Sequence, residues 1–364
     1  MDPSDYLAFT AVDLVETSRN RRSSESQITL VAKKLRKFHF FFAKNSLVTL
    51  YLSNKRRVGN CLVFLSGKIV IGPRIDAFIL SLSLLVLLGT QVIITTTLPL
   101  LIPQSEESTV GWTDWTLSLI VNLLIVISIV LMLLTGLTNP GIIPKNESGT
   151  LAPGVDPNAV DSTTGFLVPR FILLNGVCVR QKFCRTCKIY RPPRSNHCSV
   201  CDNCVLRHDH HCVALGTCVG LGNYRWFLLL SGSLALLCPL VFWLVKNQVL
   251  SLGEETVGEI KFLTFLYDNF MLMFLAVVSL VGSIAFVLLF VYHYFITAHN
   301  LTTNEHLKKY YKVNPFDYGK AGNFKHALCF PQELLPVPDT PDMEASYKEL
   351  ASTNSECVSD FYDY

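Results

Sequence analysis

The chain has 364 residues, of which 50% are hydrophobic and only 16% are charged. Such a composition is too apolar for a soluble globular protein of this length and indicates a membrane protein. The formal net charge of +3 gives no support to nucleic-acid binding.

The N-terminal region is polar and then basic. Residues 1–27 contain no apolar h-region, so no secretory signal is predicted there. Residues 31–44 (VAKKLRKFHFFFAK) interleave cations with phenylalanines, which fits a membrane-surface segment and a packed element of a small N-terminal subdomain equally well. Residues 48–72 contain β-branched runs separated by polar turn residues, a pattern that predicts a short hairpin.

Four apolar segments follow, and none of them contains a charged residue: Ala77–Leu98, Trp115–Leu137, Trp226–Val245 and Phe270–Tyr292. Each has about the 20 residues that a helix needs to cross a bilayer. Buried helices of a large soluble protein are the alternative, but four uncharged runs of this length rarely occur together in such chains. The sequence therefore predicts four transmembrane helices.

The distribution of Lys and Arg predicts the orientation. Residues 1–75 contain thirteen of them and the loop from 138 to 225 contains ten, whereas residues 99–114 contain none. Because Lys and Arg are enriched in cytoplasmic loops, both termini and the long loop are predicted to face the cytosol.

The long loop carries most of the twelve cysteines, in a metal-ligand pattern. Two C-x-x-C pairs with interspersed histidines at this density are typical of zinc binding, and eight ligands make two tetrahedral sites. Sites closed by four protein ligands are structural, and metal binding would supply folding energy that so short a segment lacks. The eight candidate ligands are Cys184, Cys187, His197, Cys198, Cys201, Cys204, His211 and Cys218.

Two such sites leave Asp209, His210 and Cys212 unused. A thiol beside an imidazole that is oriented by a carboxylate is the arrangement expected of a nucleophilic cysteine. The alternative is that Cys212 is a spare ligand and Asp209 a surface charge. His208 is predicted to be exposed.

Within this frame, Asp209-His210-His211-Cys212 resembles the DHHC protein S-acyltransferases, or palmitoyltransferases. The likeness covers about residues 55–330. Residues 59–73 (GNCLVFLSGKIVIGP) are similar to the Ras-acylating, Golgi/ER-type branch. Three further motifs carry the resemblance: Asn139-Pro140-Gly141, Thr302-Thr303-Asn304-Glu305, and the aromatic and asparagine motif from Asn314 to Asn323.

The resemblance implies that a palmitoyl or other long-chain acyl group moves from acyl-CoA to cysteines of substrate proteins. Cys212 would be the acylated nucleophile, His210 its base and Asp209 the orienting carboxylate. The resemblance also divides the eight zinc ligands into two sets. One zinc would take Cys184, Cys187, His197 and Cys204, and the other would take Cys198, Cys201, His211 and Cys218.

The implied partners are the lipid bilayer, palmitoyl-CoA and cytosolic or membrane-associated substrate proteins with acceptor cysteines. An accessory subunit is a further possible partner, and nucleic acid is not expected. The implied location is the Golgi or endoplasmic reticulum membrane, with the plasma membrane next. Candidates for contacts with the CoA phosphates are Arg191, Arg194, Arg207 and Arg225, although each is individually more typical of cytosolic-side anchoring.

The sequence departs from the family at Val213-Ala214, where Pro-Trp is usual, and this places the acyl-chain preference in question. A second departure is Asn139 for Asp, which removes a charge at a turn. The alternative function is a non-catalytic zinc-knuckle membrane adaptor that presents its cysteine-rich loop to partners. A zinc-binding ubiquitin ligase is excluded by the spacing of the cysteine pairs.

The predicted fold class is an all-α polytopic membrane protein, with four transmembrane helices and a cytosolic cysteine-rich domain that binds two structural zinc ions. Cys329, near the end of a possible amphipathic segment, is either acylated or, as favoured, a buried apolar thiol. The predicted regions are a cytosolic N-terminal region (1–75), helices 1 and 2 (76–137), the zinc domain (138–225, core 182–223), helices 3 and 4 (226–297), a cytosolic motif region (298–335) and a disordered acidic tail (336–364).

Overall fold

The structure is a computed structural model that describes residues 56–101, 112–143, 145–146, 170–175, 177–254 and 267–329. The predicted basic and aromatic segment (31–44) and the predicted acidic tail (336–364) lie outside these ranges. The division into six regions stays a prediction.

Within the described ranges, four helices are long and apolar enough to cross a membrane, as the sequence predicts. Helix α1 continues through a π-helical turn (Ile93–Thr97) and a last α-turn (Leu98–Leu101). The four helices are α1 (Ile75–Val92), α2 (Trp112–Leu137), α3 (Tyr224–Glu254) and α4 (Phe270–Ala298).

Helix α3 packs against both α2 and α4, and α1 packs against α2. A Cβ atom on Gly89 would lie 2.8 Å from Ile125 Cγ2, so the close approach of α1 to α2 requires glycine at that point. Ser128 donates a 3.0 Å hydrogen bond to Ser233, which joins α2 to α3 inside the bundle. Buried hydrogen bonds of this kind fix the pairing of helices in an apolar environment.

The hairpin predicted over residues 48–72 is confirmed from residue 56 onward, since residues 48–55 lie outside the described ranges. It is part of a three-stranded antiparallel sheet: β1 (Arg56–Val58), β2 (Cys61–Phe64) and β3 (Ile69–Ile71). The Asn60 N–H donates to the Cys201 carbonyl (2.9 Å), and Asn203 Nδ2 donates to the Val58 carbonyl (2.9 Å). The sheet is therefore hydrogen-bonded to the cysteine-rich region.

Asn139 follows α2 and is buried. Its side-chain oxygen accepts from the N–H groups of Gly141 and Ile142, and its Nδ2 donates to the Gly67 carbonyl at 2.8 Å. The amide thus makes a donor contact that an aspartate in its place would lack. Asn139, in place of the aspartate that is usual in the family, therefore links the end of α2 to the sheet before α1.

The cysteine-rich region consists of short antiparallel pairs, which the helical fold class did not describe. Strand β10 pairs with both β4 and β9, and the other pairs are β5 with β6, β7 with β8, and β11 with β12. The strands are β4 (Ile142–Ile143), β5 (Arg170–Leu174), β6 (Val177–Gln181), β7 (Phe183–Cys184), β8 (Ile189–Tyr190), β9 (Asn196–Cys198), β10 (Asn203–Val205), β11 (His210–Cys212) and β12 (Thr217–Val219).

Two short helices follow α4: α5 (Thr303–Lys308) and α6 (Gly319–Leu328). Thr302 and Glu305 form a capping box at the start of α5, because each side chain accepts from the backbone N–H of the other. Asn323 in α6 donates to the Ala298 carbonyl at 2.8 Å, which fastens α6 to the end of α4.

Asn223 is fully buried, and its side chain links the membrane helices to the cysteine-rich region. Its Nδ2 donates to the carbonyls of Thr135 (3.0 Å) and Cys218 (2.9 Å), and its Oδ1 accepts from the Gly220 N–H (2.9 Å). One side chain therefore satisfies three buried backbone groups.

We expect Asn223→Ala to lower the free energy of unfolding by about 3 kcal/mol, because buried backbone groups lose their partners. Unfolding of the detergent-solubilised protein, followed by circular dichroism against denaturant, measures this loss. Asn304→Ala in the first turn of α5 is the control and should leave stability nearly unchanged. Equal stability of the two variants would contradict the role assigned to Asn223.

Candidate functional site

The structure brings the eight predicted metal ligands together in two groups. Site A comprises Cys184, Cys187, His197 and Cys204, and site B comprises Cys198, Cys201, His211 and Cys218. In each group the ligand atoms all lie within 4.8 Å of one another. These are the same two sets that the family resemblance implies.

The distances within each group fit a tetrahedral metal ion. Metal–sulfur bonds of ~2.3 Å and metal–nitrogen bonds of ~2.0 Å would separate the donor atoms by about 3.5–3.8 Å. In site B, His211 Nδ1 lies 3.4–3.6 Å from the three sulfur atoms, and the sulfurs of Cys201 and Cys218 are 3.5 Å apart. In site A, His197 Nδ1 lies 3.4 Å from Cys187 Sγ and 3.9 Å from Cys204 Sγ. Both sites could hold a metal ion.

Strand geometry explains the division. Successive side chains of a strand point to opposite faces, so β9 sends His197 to site A and Cys198 to site B. In the pairing of β9 with β10, Cys204 lies opposite His197. In the pairing of β11 with β12, Cys218 lies opposite His211.

The three residues left over by the metal sites also lie together. His210 and Cys212 occupy alternate positions of β11 and therefore share a face, and their side chains are hydrogen-bonded. The His210 ring also contacts Asp209, with Nδ1 2.7 Å from Asp209 Oδ2. Asp209 is buried, whereas Cys212 is partly exposed. The order is carboxylate, imidazole, thiol.

The pKa values of Asp209, His210 and Cys212 are all shifted in the direction that favours the charged form. Burial acts to raise the pKa of the Asp209 carboxyl, but the hydrogen bond and charge of His210 lower it below its usual value. Burial acts to lower the pKa of His210, but its bonds to Asp209 and Cys212 raise it to about 9. Burial likewise opposes ionisation of Cys212, yet His210 lowers the pKa of this thiol below its usual value. Asp209 and His210 thus act in the direction that a thiolate beside an imidazolium requires.

The first turn of α5 holds the second oxygen of Asp209. The Thr303 N–H donates to Asp209 Oδ1 at 2.8 Å. This N–H is one of the groups that a helix leaves free at its N-terminus, and a carboxylate is a favourable partner there. The motif at residues 302–305 therefore contacts the polar group directly, a contact that the sequence did not predict.

Arg194 connects the cysteine-rich region to α5. It forms a buried bidentate ion pair with Glu305, with nitrogen–oxygen distances of 2.9 and 2.8 Å. It also donates to the carbonyl of Asn300 at 2.7 Å, and Arg207 donates to the Asn300 side chain at 3.1 Å. Arg194 is fully engaged by Glu305 and Asn300, and Arg207 is buried with a hydrogen bond to Asn300, which favours a structural role for both.

Two predictions about exposure are wrong. His208 is buried, with its Nε2 3.7 Å from Cys218 Sγ, because β12 and site B cover it. Cys329 is exposed, because it follows the last residue of α6 and lies beyond the face that packs on α4. The favoured interpretation of Cys329 as a buried thiol therefore fails.

Cys212 also lines an apolar cavity of about 390 Å³ between the helices. The cavity is bounded by residues of all four helices together with Ala214 and Leu215, which follow Cys212. Its wall along α3 runs from Phe227 to Val241, a depth of about 21 Å at 1.5 Å per residue. The Cys212 thiol thus lies at one end of a long apolar cavity.

A polar groove of about 260 Å³ lies on the cysteine-rich region. Its cations include Arg180, Lys182 and Arg191, and its other walls include Tyr310 and Tyr311. Although buried, the Nε of Arg191 has no hydrogen-bond partner within the described part of the chain. The groove also contains Asn304 and Glu305, which adjoin Thr303 and so connect it to the Asp209 group.

Comparisons with known proteins agree with this site. Residues 178–310 match the family model of the DHHC palmitoyltransferases. The chain is 32% identical over 285 residues to probable protein S-acyltransferase 7 of Arabidopsis thaliana, covering 74% of this chain and 61% of that protein. It is 36% identical over 243 residues to probable protein S-acyltransferase 1 of Arabidopsis thaliana, with 63% and 70% covered. Palmitoyltransferase ZDHHC14 of Homo sapiens is 35% identical over 235 residues, with 59% and 47% covered.

The chain therefore spans between 47% and 70% of the length of these three relatives.

We expect Thr303→Pro to slow alkylation of Cys212 by iodoacetamide at neutral pH by about threefold or more, because Asp209 loses a charge-assisted hydrogen bond. Proline suits this first helical position, and extended Thr302 suits the position before it, so α5 can still begin here. The substitution removes the N–H and also the Thr303 hydroxyl, which contacts Asp209. Mass spectrometry of the Cys212 peptide measures the rate.

Thr303→Ala also lacks the hydroxyl but keeps the backbone N–H, so it is the matched control and should react about threefold or more faster than the proline variant. A proline variant that reacts as fast as the alanine variant would show that this hydrogen bond does not support the thiolate.

Proposed function

Because this chain belongs to the DHHC palmitoyltransferase family, we propose that it transfers palmitoyl and other long-chain acyl groups from acyl-CoA to cysteine thiols of substrate proteins. The observation that carries this proposal is the position of Cys212. Its thiol is hydrogen-bonded to His210 on one side and lines the apolar cavity on the other.

The proposed first step forms an acyl-enzyme. The Cys212 thiolate attacks the carbonyl carbon of the acyl-CoA thioester, and the bond from that carbon to the CoA sulfur breaks. The CoA thiolate leaves and takes the proton held by His210, which gives free CoA. Asp209 keeps the His210 ring oriented with Nδ1 toward the carboxylate.

The proposed second step regenerates the thiol. Neutral His210 accepts the proton of the acceptor cysteine, whose sulfur attacks the acyl carbon and displaces Cys212. The products are an S-acylated protein and the starting thiolate–imidazolium pair. The same two side chains therefore serve both half-reactions, in opposite directions of proton transfer.

The cavity is the proposed seat of the acyl chain. Its lining is almost entirely apolar, and burial of hydrocarbon contributes about 0.8 kcal/mol per CH₂. Ala214 lines it at the position where the family usually has tryptophan. Replacing an indole with a methyl group widens this end of the cavity, so we propose a tolerance for acyl chains that are bulky near the carbonyl.

The polar groove is the proposed seat of the CoA phosphates. Lys182 and Arg191 supply positive charge, and the tyrosines supply apolar and aromatic surface for an adenine ring. Of the four arginines that the sequence nominates for this role, Arg191 and Arg194 line the groove, whereas Arg207 and Arg225 do not. Arg191 is retained, because the Arg194 guanidinium is already paired with Glu305.

We propose that both metal sites hold zinc. Three thiolates and one imidazole at tetrahedral spacing suit zinc, and four protein donors leave no open position for substrate. The ions would act as structural supports: they hold β9, β10, β11 and β12, and therefore Cys212, in place.

The proposed topology places both termini and the cysteine-rich region in the cytosol, where acyl-CoA and acceptor proteins are available. The charge asymmetry of the loops supports this orientation. We propose the Golgi or endoplasmic reticulum membrane as the location, with the plasma membrane as the alternative. The proposal leaves room for an accessory subunit.

A non-catalytic zinc-knuckle adaptor is the second candidate function. Its support is the replacement of the usual Pro-Trp by Val213-Ala214 beside Cys212. The adaptor would need no ordered carboxylate, imidazole and thiol, and no cavity behind the thiol, so the described geometry favours the acyltransferase.

We expect Cys212→Ser to abolish covalent labelling of the Cys212 peptide by radiolabelled palmitoyl-CoA, because a serine hydroxyl is not ionised at neutral pH. Wild-type label should be released by hydroxylamine, as for a thioester. Cys329→Ser is the matched control and should keep the label on Cys212. Wild-type protein that forms no acyl-enzyme would favour the adaptor, and a labelled Cys212→Ser variant would refute Cys212 as the nucleophile.

We expect Lys182→Gln combined with Arg191→Gln to raise the KM for palmitoyl-CoA about tenfold, because the phosphates lose two charged partners. The same variant should use a palmitoyl thioester of N-acetylcysteamine, which lacks phosphates, as well as the wild type does. Lys320→Gln, on exposed α6, is the control. A loss of equal size with both donors would contradict this assignment of the groove.

A further inference from the structure

Site B has two more polar side chains against its ligands. His208 Nε2 lies 3.7 Å from Cys218 Sγ and is also hydrogen-bonded to Cys198. The Cys61 side chain, from strand β2, is hydrogen-bonded to that of Cys201. The three sulfur ligands of site B are therefore each in contact with an imidazole or a thiol that does not itself belong to the tetrahedral set.

His208 is oriented to donate. It is buried, and its Nδ1 has no hydrogen-bond partner among the described residues. A neutral imidazole carries one N–H, and a buried N–H without a partner costs more than a free lone pair. The proton is therefore assigned to Nε2, which faces the sulfur atoms of Cys218 and Cys198.

Cys61 is also oriented to donate a hydrogen bond to a ligand sulfur. It is almost fully buried in the sheet before α1, and its sulfur accepts a 3.8 Å contact from Asn203 Nδ2. With its sulfur used as an acceptor there, its S–H is left to donate to Cys201. The Asn60 N–H bond to the Cys201 carbonyl holds the turn before β2 against the turn that carries Cys201.

Charge explains why such donors matter. Three thiolates, one neutral imidazole and a divalent ion carry one net negative charge, and the sulfur ligands of site B are all buried. A buried charge is costly unless hydrogen bonds stabilise it, and groups that contact metal ligands typically change metal affinity 10–100-fold.

We propose that Cys61 and His208 form an outer shell of hydrogen-bond donors to the thiolate ligands of site B, and that they slow the loss of its metal ion. Because His211 lies opposite Cys218 and Cys212 lies opposite Thr217 on the same hairpin, this shell also fixes the strand that carries Cys212. The inference rests on the proposed zinc occupancy but not on acyl transfer.

The test follows metal-protected thiols in the full-length protein in detergent micelles. Zinc content is measured first, and the protein is then incubated with a chelator and an isotope-coded alkylating reagent. Mass spectrometry reports the alkylation rate of each ligand cysteine. The variants are Cys61→Ala and His208→Phe, which remove the donors, and Cys61→Ser and His208→Gln, which restore an O–H or N–H donor of similar size.

We expect Cys61→Ala and His208→Phe to speed alkylation of Cys198, Cys201 and Cys218 about tenfold or more. Cys184, Cys187 and Cys204 of site A should react at the wild-type rate, which also reports that the fold is intact. The Cys61→Ser and His208→Gln variants should recover most of the protection.

Four outcomes would overturn the inference. Donor-removing variants that react at the wild-type rate would show that the contacts do not hold the metal. Serine and glutamine variants that react as fast as the alanine and phenylalanine variants would assign the effect to packing. Faster alkylation of the site A cysteines in the variants would also assign the effect to packing. Wild-type protein with fewer than two zinc ions would refute the proposed occupancy itself, and this result is distinguishable because it is measured before any variant.

Discussion

Strand β9 places two consecutive residues, His197 and Cys198, in two different candidate metal sites, and the arrangement of the cysteine-rich region depends on this alternation. Because each site takes one ligand from β9, both sets of ligands come together only when the strand pairs of this region are in register. Site A then binds β7 and β10 together, and site B binds β11 and β12. The eight ligand side chains in this way hold together a region that has little hydrophobic core.

The candidate metal sites position Cys212, but the reactivity proposed for its thiol has another source. It depends on Asp209, which lies where the cysteine-rich region meets α5. One carboxylate oxygen contacts His210 and the other accepts the Thr303 N–H, 94 residues further along the chain. The Arg194–Glu305 ion pair and the capping box hold α5 at this point. The segment after the last membrane helix is therefore part of the polar site.

Local features of this architecture were predictable from the sequence. Charge-free apolar runs predict the four long helices, and cysteine spacing predicts all eight ligands, because both signals are short-range and strong. The unused Asp209, His210 and Cys212 also follow from counting ligands. Contacts between distant segments were not predictable in this way, since neither the bond from Thr303 to Asp209 nor the inward turn of Arg194 leaves a local pattern. The burial of His208 was missed for the same reason.

The central claim is that Cys212 carries the acyl group between donor and acceptor. The most direct measurement loads the purified protein with radiolabelled palmitoyl-CoA, removes the remaining donor, and adds a cysteine peptide as acceptor. This mechanism predicts that label leaves Cys212 at the same rate at which it appears on the peptide. Label that stays on Cys212 while the peptide is acylated only in the presence of fresh donor would contradict it.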